Sequence, residues 1–192
     1  MPTLKIKTAS QDDVDQCVAL IVLAFSNDPA ARWLYPDPHA FLSHFPSFVR
    51  TFGGAFEQGS AHYIDGSAAA LWFRPGAQPD EEALVALIKD SVPMADQDVA
   101  FAVFEQMDEA HPKEPHWYLP LIGTDPARRS SGFGSALLDH RLTICDQQNV
   151  PAYLEATSPE NIRLYRRHGF EVLDTIQVGG SPPITPMVRK PL

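Results

Sequence analysis

Cysteine is nearly absent. Only Cys17 and Cys145 occur in 192 residues, and both fall in helical patterns, so two buried reduced thiols are expected rather than a disulfide. Neither has a histidine at a suggestive position, which argues against a catalytic thiol. Positive charge is also short: 15 Lys and Arg against 24 Asp and Glu leave a net charge of -9. That balance argues against nucleic acid or an anionic membrane as partner, because both need a basic face, and tolerates a cationic amine. No apolar run is long enough to cross a bilayer. The most compact one, VALIVLAF at 18–25, is bracketed by Asp15 and Asp28, and no signal peptide is visible, so a cytoplasmic protein is expected. The seven histidines lack metal-ligand spacing; His111 and His116 are five apart across prolines, and no metal is expected.

What is present begins with enough apolar residue, 44%, to predict one globular domain over 1–192 that folds without staples. Oligomeric state stays open between monomer and homodimer. The scarce positive charge is gathered in one place: residues 128–167 hold six Arg against four Asp or Glu, which suits an anionic ligand on an acidic protein. The run His116–Ile122 is apolar and aromatic, reads as a buried strand and stops at the turn signal Asp125-Pro126. From Gly132 the period becomes helical. Phe133, Leu137, Leu138, Leu142 and Cys145 share one stripe, while Asp139, Arg141, Asp146 and Gln147 are expected to face water. Between strand and helix, Gly132 and Gly134 permit close backbone approach, helix-start N–H groups attract an anion, and Arg128 and Arg129 add charge. The segment reads as a phosphate cradle.

In chain order, Leu4, Ile6 and Thr8 alternate as a first strand, and Ser10, Asp12 and Asp13 signal a helix that ends near Asn27-Asp28-Pro29. The stretch ARWLYPDP is expected to be a proline-set loop, followed by a helix over about His39–Phe56. Residues 61–65 and 68–74 read as a hairpin, Glu81–Lys89 and Ala95–Ala110 as helices. Phe101, Phe104 and Met107 form a stripe that is core in the ordinary case and could floor an apolar pocket. A strand from Val150 through Glu155, a helix capped at Ser158 with Pro159 first, and closing strands Phe170–Val178 and Ile184–Val188 complete the prediction.

Arg129-Ser130-Ser131-Gly132-Phe133-Gly134 resembles the Q/R-x-x-G-x-G/A motif of the GCN5-related N-acetyltransferases, in its proper place between strand and helix. PAYLEATSPENIRLYRRHGF at 151–170 is similar to the second block of that family, with its asparagine at Asn161 and its tyrosine at Tyr165. The flow from Lys113-Glu114-Pro115 to Gly169-Phe170 is similar to the puromycin N-acetyltransferase-like branch. The likeness covers about 111–191; earlier residues follow only in element order. Ser130, Ser131 and Thr124 depart from the commoner residues of the motif.

The resemblance implies an α/β (α+β) fold with a mixed, mostly antiparallel twisted sheet of about six to seven strands, flanked by helices and splayed at the central strand. It implies acetyl-CoA as cosubstrate, held by Ile122, Gly123 and Thr124 on the strand, by Arg129, Ser130, Ser131, Gly132, Phe133, Gly134 and Ser135 at the turn, and by Asn161 and Tyr165. Ile122 would offer its N–H to the thioester oxygen, and Pro120, lacking a ladder donor, would weaken strand pairing where the split is wanted. The region holding Asp28, Trp33 and Tyr35 would form the acceptor wall for a small-molecule amine; both aromatics could equally cap the core.

Acetyl transfer sets its own requirements. An alkyl amine is about one part in a thousand neutral at pH 7, so a base must help, and the departing thiolate needs a proton. Tyr165 is the expected acid, since the resemblance places this tyrosine near the cofactor sulfur and a phenol keeps its proton at neutral pH. Glu155 on the adjacent strand, acting directly or through water, is the expected base, and Asp28 is the second candidate. Two alternatives stand beside this reading: a dinucleotide fingerprint at Gly132 and Gly134 with Glu155 as acidic partner, which Leu137 in place of a third glycine disfavours, and an acyl-CoA-binding module without turnover.

Overall fold

The computed structural model describes residues 5–192, so the Leu4 end of the expected first strand lies outside the described residues. Seven strands, β1 (Lys7–Thr8), β2 (Ala61–Ile64), β3 (Ala68–Phe73), β4 (Trp117–Thr124), β5 (Ala152–Ala156), β6 (Glu171–Val172) and β7 (Thr185–Arg189), form one sheet in the order β1-β2-β3-β4-β5-β7-β6. Every neighbouring pair is antiparallel except β4 and β5. One parallel pair cannot make the doubly wound sheet that a dinucleotide fingerprint needs.

Helices cover both faces, and the two-residue period of the strands decides which side chain meets which layer. On one face α1 (Val14–Ala24), α3 (Pro38–Arg50), α5 (Glu81–Ser91) and α6 (Met94–Ala110) bury residues such as Ile21, Phe45 and Ile88 in a cluster with Leu71, Phe73, Tyr118 and Tyr153 of the sheet. On the other, α7 (Phe133–Gln148) and α8 (Pro159–Arg167) bury Leu137, Leu138, Cys145 and Tyr165 with Trp72, Trp117, Leu119 and Leu154. Each such aromatic or aliphatic side chain stabilises the fold by about 1.5–3 kcal/mol. Both cysteines are free and buried, and burial pushes each thiol up to about 12. No helix among the described residues is long and apolar enough to cross a membrane.

The sheet opens at its parallel seam. The β4–β5 ladder runs only from Trp117 opposite Ala152 to Leu119 opposite Leu154, although β4 continues to Thr124 beside β3. Pro120 stands where the ladder stops and has no N–H to extend it. Opposite β3, three steps along β4 from Tyr118 to Leu121 match two from Phe73 to Leu71, so β4 carries a bulge here. The extra residue lets Pro120 and Leu121 border the same cavity, while Ile122 returns to the opposite face.

Several sequence expectations need correction. The stretch ARWLYPDP is not all loop: α2 (Pro29–Leu34) forms because Asp28 accepts from the N–H groups of Ala30 and Ala31, each at 3.0 Å, and Pro29 pre-sets the first helical position. The single helix over 39–56 is two, α3 and α4 (Gly54–Glu57). They part at Thr51, whose hydroxyl donates back to the carbonyl of Phe48 at 2.8 Å while its own carbonyl accepts from the Asp80 N–H. The closing strand over 170–178 shrinks to β6 plus a bridge between Ile176 and Ile184. Arg141 does not face water; it is 5% exposed, lies 4.2 Å over the Trp117 ring and donates to His62 Nε2.

Candidate active site

The splay of β4 from β5 leaves a cleft of about 790 Å³ bordered by Ile122, Gly123 and Thr124, by the 128–135 turn, and by the start of α8. Gly132 caps α7 in the left-handed conformation, φ 82°, and a Cβ built there would meet nothing within 4 Å. The glycine thus reverses the chain without strain and leaves space in front of the helix. No side chain caps α7, so its first N–H groups stay free for an anion. Ser130 also has positive φ, 63°, a costly conformation for a residue with a Cβ and one that clusters at functional turns. Arg128, Arg129 and Arg167 border the cleft; Arg128 is held by a 3.0 Å hydrogen bond to Ser67 Oγ. Gly123 has another reason to be glycine: a Cβ would stand 2.5 Å from the Cβ of Ala24, because α1 crosses β4 there.

A second cavity of about 340 Å³ lies beside the first, on the face covered by α3, α5 and α6. Its wall is aromatic, with Trp33, Phe45, Phe48, Phe52, Phe104 and Tyr118, and Met107 adds to the floor. Phe25 and Asp28 border both cavities. Glu155 points into it because the β5 pleat sends Leu154 and Ala156 to the α7 side. Its side chain is 3% exposed, and Oε1 lies 3.1 Å from His111 Nε2, an ion-pair separation without hydrogen-bond alignment. His111 follows the last residue of α6 and sits against the rings of Tyr118 and Tyr153.

Ionisation follows from burial. Desolvation, then the nearby Glu155 carboxylate, push the phenols of Tyr118 and Tyr153 above their ordinary value. Tyr165 is pushed up by burial and then by the Asp28 carboxylate, so it holds its proton at neutral pH. Asp28 is itself raised by burial, against the opposing hydrogen bonds from Thr157 Oγ1 and the two α2 amides.

All twelve residues expected to hold a cofactor border the larger cleft. The two expected catalytic residues are divided, Tyr165 in the cleft and Glu155 in the aromatic cavity. Trp33 lines that cavity. Asp28 touches both, with its carboxylate committed to capping α2 and to Thr157. Tyr35 is a correction: it is 1% exposed, borders neither cavity and donates to or accepts from Ser91 Oγ at 2.8 Å, so it belongs to the core. His111 and Phe25 are the site residues that sequence reading missed. For His111 the signal was faint, its partner lying 44 positions away.

A sheet parted beside an uncapped, arginine-rimmed helix start fits the acetyltransferase class, and comparison with known proteins sets that class. The chain belongs to the acetyltransferase (GNAT) family, whose model matches residues 47–170. An uncharacterized N-acetyltransferase of Schizosaccharomyces pombe is 23% identical over 215 residues, covering 96% of this chain and 83% of that protein. A Corynebacterium glutamicum crystal structure named as histone acetyltransferase HPA2 and related acetyltransferase superposes with TM-score 0.72 at 27% identity, covering 98% of this chain and 96% of the other. A Drosophila melanogaster polyamine N-acetyltransferase, with TM-score 0.61, 12% identity and coverage of 97% and 98%, shares the fold.

Proposed function

We propose that the chain is an acetyl-CoA-dependent N-acetyltransferase that acts on a primary amine of a small molecule, with both substrates bound together. The observation that carries this reading is the pair of adjoining cavities, one with free helix N–H groups and arginines, the other with a buried carboxylate. The residues present fit acetyl-CoA: Gly132 leaves open space before the start of α7, Arg128, Arg129 and Arg167 suit phosphates, and the unpaired stretch of β4 from Ile122 to Thr124 suits an amide-bearing arm. Bound there, it would supply the thioester that the amine attacks. Ile122 N–H is the proposed donor to the thioester oxygen. Tyr165 holds a proton at its hydroxyl for the leaving sulfur, and Glu155 takes one from the ammonium. His111 orients the Glu155 carboxylate and links it toward solvent, being more exposed than its partner. Within the family, the run from Lys113 to Phe170 supports placement near the puromycin N-acetyltransferase-like branch.

The test is thermal stabilisation by acetyl-CoA, CoA, NADH and ATP on wild type and on Gly132→Trp, followed by thiol release with amines. At a hundredfold excess over Kd the ligand adds about 2.7 kcal/mol, roughly 5–10 °C for a chain of this size. A shift with the CoA pair alone, absent in Gly132→Trp, is expected. A shift with NADH, or none, refutes the proposal; a shift without thiol release for any amine leaves an acyl-CoA-binding module.

A further inference from the structure

The chemistry of the aromatic cavity narrows the acceptor further, on the condition that the transferase reading above holds. Its volume, about 340 Å³, is at the small end of small-ligand sites. Among the described residues its wall has no Lys or Arg, and its one basic side chain, His111, already faces Glu155, which leaves no free counter-charge for a carboxylate or phosphate on the acceptor. Phe48 stacks on Phe45 at 5.3 Å and meets Phe104 at 6.4 Å, so the rings form a continuous apolar surface between α3 and α6. Hydroxyl or amino groups placed against that surface would lose water without gaining partners.

Charge sits at defined points of the same wall. Glu155 is the one carboxylate there whose side chain is sealed from solvent; its Oε1 faces His111 Nε2 at 3.1 Å out of hydrogen-bond alignment, with the Tyr118 and Tyr153 phenols close by. A buried carboxylate whose neighbours are poorly aligned with it has room for a better donor, and a ligand ammonium supplies one. Asp28 also borders the cavity, with its carboxylate taken by Thr157 and the α2 amides, and Glu81 and Asp108 are exposed, where an ion pair contributes little.

We propose that the acceptor is a hydrophobic monoamine, an arylalkylamine or compact alkylamine, with its ammonium on Glu155 beside His111 and its apolar body among Phe45, Phe48 and Phe104. In the reaction the N–C bond to the acyl carbon forms and the C–S bond breaks. The ammonium nitrogen gives up two protons. The solution gains one by way of Glu155 and His111, and the leaving sulfur gains one from Tyr165, which is reprotonated by the second.

The experiment measures kcat/KM by thiol release for the alkylamines from ethylamine to hexylamine, for 2-phenylethylamine, for spermidine and for kanamycin. The methylene series should rise about fourfold per added carbon until the cavity is full. Phenylethylamine should exceed spermidine and kanamycin by at least about a hundredfold, several methylene equivalents. In Phe104→Gln, kcat/KM for phenylethylamine should fall at least about tenfold while acetyl-CoA raises Tm as in wild type, which separates a lost pocket from a lost fold. A flat series, or preference for spermidine or kanamycin with robust thiol release, overturns the acceptor class and leaves the transferase reading standing. No acetyl-CoA stabilisation and no thiol release with any amine overturns both.

Discussion

Replacing Tyr165 with Phe removes one hydroxyl from the larger cleft and little else. The ring is 5% exposed, packs 6.0 Å from Phe170, and its ionisation is governed by burial and Asp28 with no hydrogen-bond contribution. Because no protein partner is orphaned, stability should change by less than about 1 kcal/mol. Turnover should change far more. A positioned general acid contributes about 10²–10⁴-fold, equivalent to roughly 3–5 kcal/mol of barrier. The assay is steady-state thiol release at saturating acetyl-CoA and amine, with acetyl-CoA affinity from a thermal or calorimetric titration. The expected result is kcat down at least about a hundredfold with Kd unchanged within about threefold. Since burial raises the phenol pKa, wild-type kcat should show no loss of this acid as pH rises to about 9. A Tyr165→Phe enzyme within about threefold of wild-type kcat would refute the role.

Acid should unfold the protein through His62. Burial, then Arg141 and His140, lower its pKa from the ordinary 6.5 to about 3. The unfolded chain therefore binds the proton first, so stability is full above about 6.5 and falls as pH drops toward 3, by at most about 1.4 kcal/mol per unit. His62→Gln should flatten that slope in urea melts at pH 7 and pH 4.5; an unchanged slope would clear His62. At the crossing of α1 and β4, Gly123→Ala puts a Cβ 2.5 Å from Ala24 Cβ and should cost about 1–3 kcal/mol. Adding Ala24→Gly should return part of that loss in denaturant melts, and strictly additive losses would argue against the clash.

The C-terminal half was readable because its signals are local. Gly132 is needed for one φ angle, Ser158 and Pro159 for one cap, and Pro120 for one missing donor, so each residue announces its own geometry. The acceptor side depends on distant pairings. His111 and Glu155 meet across the sheet, and Tyr35 reads like a pocket aromatic until its hydroxyl is found on Ser91. Asp28-Pro29 was legible as a boundary but ambiguous in direction, since an Asp-Pro pair can close one helix or open the next. Arg141 sits at a helical position that faces water by period; the Trp117 ring and His62 draw it inside.

The two adjoining cavities also divide the chain along its length. The cleft is built mostly from residues 122–167, whereas the aromatic cavity draws most of its wall from residues 25–108. Substitutions in the earlier segment can therefore reshape the aromatic cavity while leaving the arginine-rimmed helix start untouched. Among the described residues Phe25 and Asp28 alone border both cavities, and a change at either would be felt on both sides.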